Sequence, residues 1–182
     1  MEQAAAPEVP VIPFDATLKD DTAVVSDKGR FSELEEAGYG AKGEGTWVLR
    51  PYEALYLLYT RRLELKDGSR KKVTFERLAE TIQKHTRDSW TKFLIYRDLR
   101  SRGYVDREGF GFGTDLRVYE RGDYKKKPAK YVVFALDEGI EMATKDLQKS
   151  VAEMARMGKE AIIAVIERRG EVIYYKVSKA RF

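Results

Sequence analysis

The 182-residue sequence predicts an α/β protein of the α+β kind, with a small N-terminal α/β domain followed by a C-terminal mixed β-sheet flanked by helices. Two observations lead to this prediction. Apolar residues recur at helical spacing in the middle of the chain and again near residue 150. Short runs of β-branched and aromatic residues, separated by glycine and aspartate, lie before and after those helical segments.

The first domain is predicted over residues 15–86, after a flexible leader. Residues 1–14 contain three prolines and three consecutive alanines, a composition that disfavours regular structure. The apolar pieces at 22–26 and 45–49 are separated by Asp, Gly and Lys residues, which indicates short strands joined by turns.

Two helices are expected to complete this domain. Pro51 fits the first position of a helix, where its missing N–H costs nothing, and the helical pattern continues to Leu63. Asp67-Gly68 ends that unit. Thr74 is a suitable N-cap for a second helix that continues to Lys84.

The second domain is predicted over residues 87–182. A helix from Arg87 to Arg102 should end at Gly103, since glycine readily adopts the left-handed conformation that terminates helices. A further helix is expected over 141–157. Six consecutive apolar residues at 131–136 are typical of a strand that is covered on both faces. The other expected strands are 104–105, 110–112, 115–119, 161–167 and 171–178.

The composition excludes several classes of protein. The chain has no cysteine, which excludes disulfides, zinc–thiolate sites and thiol nucleophiles. No apolar run approaches the roughly 20 residues that span a bilayer, and the N-terminus lacks the pattern of a signal peptide. We therefore expect an intracellular, cytoplasmic protein with no membrane partner, and we predict no cofactor.

Charge differs between the two halves of the chain. Residues 1–85 carry 13 Lys and Arg against 15 Asp and Glu, whereas residues 86–182 carry 21 against 15. A positive C-terminal half suits a partner with a phosphate backbone, because neutralised phosphates release counterions. A lysine-rich surface of the kind common in thermophile proteins explains the same charge equally well.

The strongest motif lies between residues 96 and 136. The chain reads YRDLRSRGY at 96–104, FGTDLRVYERG at 112–122 and KYVVFAL at 130–136. These segments resemble the catalytic domain of the archaeal tRNA-splicing endonuclease family, in which a tyrosine, a histidine and a lysine cleave RNA. The resemblance implies that family's fold and its reaction, which cuts precursor tRNA at bulge-helix-bulge intron boundaries and leaves 2′,3′-cyclic phosphate and 5′-OH ends.

The resemblance also assigns the catalytic positions. The family tyrosine matches Tyr119. The family histidine falls on Pro128, or on Ala129 if no residue is inserted after Tyr119, and neither side chain can transfer a proton. The family lysine falls on Glu160, with Lys159 one residue earlier. Because two of three positions are altered, the resemblance implies a structural subunit in which Tyr119 is kept for packing.

Other ionisable residues could replace the missing groups. His85, the single histidine, lies at the end of a predicted helix in the other domain, where the helix dipole already favours it. Lys159 could replace the lysine, but a shift of one residue beside a strand turns its side chain to the opposite face. Asp115, Glu120 and Asp123 lack the ordered spacing of a metal-dependent nuclease, so no metal site is predicted.

Residues outside the catalytic positions are candidates for RNA binding and assembly. A run of lysines interleaved with tyrosines would contact RNA phosphates without reading sequence, although a solvated loop is an equal alternative. The resemblance implies dimers or tetramers, joined by pairing of the last strand and by an acidic loop that enters a basic cleft. The candidate RNA-binding residues are Arg117, Lys125, Lys126, Lys127 and Lys130, and the candidate interface residues are Glu167, Glu171, Tyr174 and Tyr175.

The sequence therefore predicts a subunit of tRNA-splicing endonuclease that a catalytic partner subunit completes. We expect a homodimer of the isolated chain or a heterotetramer in the complex, with precursor tRNA as substrate. Two alternatives stay open: an active, metal-independent endonuclease with a displaced base, and an RNA-binding module without nuclease activity.

Overall fold

The computed structural model describes residues 12–85, 87–109, 115–137 and 143–179, which form two mixed β-sheets and five α-helices. The first sheet is built by the N-terminal part of the chain in the order β3-β4-β2-β1-β5-β6, and its β1–β5 pairing is parallel. Its strands are β1 (Phe14–Lys19), β2 (Thr22–Val25), β3 (Ala41–Lys42), β4 (Trp47–Leu49), β5 (Leu63–Lys66) and β6 (Lys72–Val73).

The second sheet is built by the C-terminal part of the chain. Its order is β11-β10-β9-β8-β7, with β9 and β10 parallel and the other neighbours antiparallel. Its strands are β7 (Val105–Glu108), β8 (Asp115–Tyr119), β9 (Tyr131–Asp137), β10 (Glu160–Ile166) and β11 (Val172–Val177). The helices are α1 (Phe31–Glu36), α2 (Pro51–Tyr59), α3 (Phe75–His85), α4 (Arg87–Ser101) and α5 (Thr144–Arg156).

Helix α4 packs against both parts of the chain. It contacts α2 and α3 on one side and the strands of the second sheet on the other. Phe93, Ile95 and Tyr96 of this helix are at most 1% exposed and belong to a core that is continuous from the first sheet to one face of the second. A smaller core around Met154 of α5 covers the opposite face. The buried residues of β9 divide between these two cores, as expected for a strand covered on both faces.

The sequence prediction of helix α2 was wrong at its C-terminal end. The helix ends at Tyr59, and Arg61 adopts the left-handed conformation with a φ of +57°. The following residues pair with β1 as strand β5, in which Leu63 and Leu65 are buried and Glu64 is exposed. Sheet pairing and a period of two therefore override the local helical pattern.

Other boundaries differ by less. Strand β1 begins at Phe14, one residue before the predicted start of the domain, and Phe14 is buried. Gly103 has a φ of +84° after α4, which confirms the predicted helix end. The expected strand at 110–112 and the first residues of the expected 141–157 helix lie outside the described residues, as does most of the expected leader.

Candidate functional site

The ends of three neighbouring strands meet at one edge of the second sheet, which we call the site edge. Strand β8 ends at Tyr119, whereas β9 and β10 begin at Tyr131 and Glu160. The register pairs Val118 with Tyr131 and Tyr131 with Glu160. Because β8 is antiparallel to β9 and β10 is parallel to it, the end of β8 lies beside the starts of both other strands. The fold thus brings together the three segments that carry the candidate catalytic positions.

Tyr119 is half-buried at the site edge, on the sheet face that α5 covers. Leu116 and Val118 of the same strand belong to the main core on the other face, and side chains alternate along a strand. The Tyr119 ring meets the Tyr124 ring edge-on, with 5.0 Å between centroids and an interplanar angle of 84°. Edge-to-face packing of this kind favours one orientation of both rings.

Pro128 and Ala129 lie between the lysine run and β9. Pro128 is exposed, whereas Ala129 is 5% exposed. The next residue, Lys130, donates its backbone N–H to the carbonyl oxygen of Val118 at 3.0 Å. Both candidate histidine positions therefore lie beside the end of β8, and neither provides a side chain that can accept or donate a proton.

Lys159 and Glu160 direct their side chains to different partners. Lys159 Nζ donates a hydrogen bond to the carbonyl oxygen of Ala129 at 2.6 Å. Glu160 Oε2 instead lies 2.9 Å from Nζ of Lys176 on β11. Ala161 packs in the core under α5, so alternation along β10 directs Glu160 toward the other face. Lys159, one residue before the position matched to the family lysine, is therefore the residue whose side chain reaches Ala129.

Residues 120–127 form a turn, here named the lysine turn, in which most of the lysines are already ion-paired. Lys125 is paired with Glu35 at 3.6 Å and Lys127 with Asp123 at 3.0 Å. The nearby Lys130 is paired with Glu120 at 2.7 Å. Within the part of the chain that the structure describes, Lys126 has no ion-pair partner, and it is exposed. Exposed ion pairs contribute little free energy, so these lysines can exchange a carboxylate for a phosphate at low cost.

Glu120 is the carboxylate next to Tyr119 in the chain. Its Oε1 accepts hydrogen bonds from Lys130 Nζ at 2.7 Å and from the Tyr131 hydroxyl at 2.9 Å. The hydrogen bond from Lys130 holds the pKa of the Glu120 carboxyl below its usual value. A general base works best with a pKa near the working pH, so Glu120 is poorly suited to replace a histidine.

Arg117 lines a cleft formed by residues from both parts of the chain. Its Nε donates to the carbonyl oxygen of Glu108 at 2.8 Å. The cleft has a volume of about 320 Å³ and is also lined by Arg50, Arg107 and Tyr52. The Tyr52 hydroxyl, on a residue that is 3% exposed, has no hydrogen-bond partner among the described residues. We call this site the arginine cleft; sequence reasoning missed Arg50, Arg107 and Tyr52 because they come from separate segments without a common motif.

The candidate interface residues fall into two groups. Tyr175 is 53% exposed on β11, the outermost strand of the second sheet, and Glu167 and Glu171 are exposed in the β10–β11 turn. Tyr174, in contrast, points toward α4 and donates its hydroxyl to Asp98 Oδ2 at 2.8 Å. Three of the four residues are therefore accessible to a partner, and Tyr174 is bonded within the chain.

A buried charge pair joins α4 to β7, and sequence reasoning also missed it. Arg100 Nε lies 3.2 Å from Oδ1 of Asp106, which is fully buried. Arg100 also donates to the carbonyl oxygens of Ala37 and Gly38, both at 2.7 Å. Burial raises the pKa of Asp106 well above its usual value. The pair joins α4 and β7 to the turn that follows α1.

Two further expectations concern metals and membranes. Among the described residues, no group of three or more His, Asp or Glu side chains is placed to hold a metal ion. No helix in the described ranges is long and apolar enough to cross a membrane. The side chains of His85 and Asp115 lie outside the described part of the structure.

Comparison with known families gives this arrangement its context. Residues 89–174 match the family described as tRNA intron endonuclease, catalytic C-terminal domain, and residues 14–79 match the corresponding N-terminal domain. The chain belongs to the tRNA intron endonuclease family. The match to the N-terminal domain ends within α3, and the match to the catalytic domain begins within α4. These two helices connect the two sheets.

Archaeal proteins named tRNA-splicing endonuclease are similar to this member of the family over most of its length. The protein of Methanococcus maripaludis is 34% identical over 162 residues, which are 89% of this chain and 92% of the relative. The Thermococcus gammatolerans protein is 31% identical over 166 residues, 91% of this chain and 97% of the relative. The Methanosarcina acetivorans protein is 31% identical over 166 residues. These residues are 90% of this chain but only 46% of that longer relative.

Proposed function

We propose that this chain is the structural subunit of a tRNA-splicing endonuclease whose complex cleaves precursor tRNA at bulge-helix-bulge intron boundaries. Cleavage of RNA without a metal needs a base for the 2′-OH proton, an acid for the leaving 5′-oxygen and a cation for the developing charge. Tyr119 and Lys159 are two ionisable groups at the site edge. The observation that carries the proposal is that Pro128 and Ala129, which lie between them, provide no group for proton transfer.

The lysine turn supports a role in holding the substrate. Its lysines are exposed and lie next to Tyr119, so RNA bound at the site edge would place phosphates within their reach. Contacts of this kind position a nucleic acid without reading its sequence. A subunit without a working base can therefore still orient precursor tRNA for cleavage at a partner's site.

The arginine cleft supports assembly with a different chain. The three arginines of the cleft outnumber its two carboxylates, Glu108 and Glu53, which are paired with Arg50 and Arg107. The remaining positive charge and the unpartnered Tyr52 hydroxyl suit an incoming carboxylate. The β10–β11 turn of this chain contains Arg168 and Arg169 between its glutamates. A partner loop with fewer basic residues would complement the cleft better, which favours a heteromeric complex. The exposed outer edge of β11 offers a second surface for pairing.

One observation favours the alternative of an active endonuclease with a displaced base. Lys159 Nζ reaches the carbonyl oxygen of Ala129 at 2.6 Å, so a cation is present at the edge that also carries Tyr119. This alternative needs a base from another residue or another chain. Glu120 does not supply it well, because its pKa is lowered by its bond with Lys130.

The experiment that separates the two functions is cleavage of an intron-containing precursor tRNA in the presence of a chelator. The chain is assayed alone and after mixing with a family subunit that carries the tyrosine, the histidine and the lysine but is inactive by itself. A silent chain with correctly placed cutting in the mixture supports the structural subunit, and Tyr119→Phe in this chain should then leave the rate of the mixture unchanged. Cutting by the purified chain alone, lost in Tyr119→Phe, would instead establish the displaced-base endonuclease.

A further inference from the structure

The lysine turn packs against the N-terminal domain at Gly38, in the turn between α1 and β3. Gly38 has a φ of +72°, a conformation that L-residues with a side chain rarely adopt. A Cβ atom at this position would lie 2.5 Å from Cγ1 of Val105 and 3.3 Å from the nearest ring atoms of Tyr124. A side chain at this position would therefore clash with Val105 and crowd the Tyr124 ring, so the close approach of the two turns depends on glycine.

The turn that carries Gly38 is itself fixed by buried polar groups. Arg100 donates to the carbonyl oxygens of Ala37 and Gly38, each at 2.7 Å. Glu53 Oε1, on a side chain that is almost fully buried, accepts the N–H of Gly40 at 3.0 Å. Buried charge-assisted hydrogen bonds of this kind hold a backbone segment rigidly. The surface presented to Tyr124 therefore has a fixed position.

Tyr124 and its neighbour connect that surface to the lysines. The opposite contact of the Tyr124 ring is the edge-on packing with Tyr119 at 5.0 Å. Lys125, with a φ of +63°, lies 3.6 Å from Glu35 of α1 through its Nζ. The backbone N–H groups of Lys126 and Lys127 both donate to the carbonyl oxygen of Asp123 at 2.9 Å. The ring of Tyr124 therefore lies between the N-terminal domain and Tyr119, within the turn that carries the exposed lysines.

We propose that Tyr124 and Gly38 are positioning residues for RNA binding, through which the N-terminal domain holds the lysine turn in the conformation that contacts phosphates. The inference rests on the proposed function, because it assumes that the lysine turn binds precursor tRNA. Holding the turn in one conformation before RNA arrives removes the entropy cost of ordering its backbone on binding. Neither residue contacts RNA in this arrangement, and both act through Lys126 and its neighbours.

The test is a double-mutant cycle on precursor-tRNA affinity, measured with the full-length chain over a range of salt concentrations. Tyr124→Ala should weaken binding about three- to tenfold, the scale of an aromatic pair's contribution, and Tyr124→Phe should restore it. Lys126→Ala should weaken binding in the parent chain but have little further effect in Tyr124→Ala, because the lysine is already misplaced. If Tyr124→Ala and Lys126→Ala instead weaken RNA binding additively in the double variant, the proposal is overturned. Tyr59→Ala, which removes another exposed tyrosine remote from the turn, is the matched control.

A second measurement tests the same contact without RNA. Hydrogen exchange of segment 115–131 should accelerate in Tyr124→Ala and in Gly38→Ala, and it should stay at the parent rate in Tyr59→Ala. Unchanged exchange in Tyr124→Ala would overturn the inference whatever the RNA data show. If Lys126→Ala has no effect on RNA affinity while exchange accelerates as expected, the proposed RNA surface fails and the docking of the turn stands.

Discussion

Lys159 Nζ donates a 2.6 Å hydrogen bond to the carbonyl oxygen of Ala129, so the ammonium group lies beside one of the two candidate histidine positions. This contact joins the start of β10 to the segment before β9, at the same sheet edge where β8 ends in Tyr119. Glu160, the position matched to the family lysine, is paired with Lys176. Of the two residues at the start of β10, Lys159 and not Glu160 therefore directs a cation toward Ala129.

Replacement of Lys159 should weaken binding of precursor tRNA and reduce its dependence on salt. Loss of one phosphate contact lowers the slope of log affinity against log salt by about 1. Lys159→Met should show this change, and Lys159→Arg should retain most of the affinity. The measurement is a titration of labelled precursor tRNA at several salt concentrations. Lys145→Met, an exposed lysine at the start of α5, is the control, and an equal change in that variant would contradict a specific role for Lys159.

Pro128→His should give the site edge the missing proton-transfer group. If Tyr119 and Lys159 are correctly placed, metal-independent cleavage of precursor tRNA should rise by about 10²-fold or more, the scale of general acid–base catalysis. Ala129→His tests the alternative alignment in the same assay. Pro128→Asn, which has similar size without a basic nitrogen, should stay inactive. Absence of cleavage in both histidine variants would mean that another group at the edge is also missing.

Loss of the Arg100 guanidinium should destabilise the fold strongly. Arg100→Met leaves Asp106 buried without its counter-ion and removes the donors to the Ala37 and Gly38 carbonyls, which should lower the free energy of unfolding by about 3–5 kcal/mol. Arg102→Met removes an exposed guanidinium paired with Asp98 and should cost about 1 kcal/mol or less. Urea unfolding of both variants measures these changes. Similar losses of unfolding free energy in Arg100→Met and Arg102→Met would contradict the importance of the buried pair.

The buried carboxyl of Asp106 should also make stability depend on pH. Burial raises the pKa of Asp106 in the folded state, so the folded chain binds this proton more tightly than the unfolded chain does. The resulting stabilisation is complete below the unfolded pKa of about 4 and is lost as pH rises through the folded pKa. Relative to Asp106→Asn, the parent chain should therefore lose unfolding free energy as pH increases from about 4 to neutral. Parallel pH profiles of the two chains would contradict this, and the exposed Asp15→Asn is the control.

Local chemistry was sufficient to predict several elements. The end of α4 at Gly103 follows from the backbone freedom of glycine, and the buried strand β9 follows from six consecutive apolar residues. The same reasoning failed for β5. Leu63 continues a helical apolar pattern from α2, and only parallel pairing with β1, a segment more than forty residues earlier, makes it the first residue of a strand.

The sequence by itself determined the family resemblance, the absence of a side chain that can transfer a proton at Pro128 and Ala129, and the basic character of the C-terminal half. These properties belong to residue identity and short-range spacing. The tertiary structure alone decided that Lys159 and not Glu160 approaches Ala129, that Tyr174 is bonded to Asp98, and that Arg50, Arg107 and Arg117 share one cleft. Each of these depends on the register of strands and the packing of helices from distant parts of the chain, which no local pattern encodes.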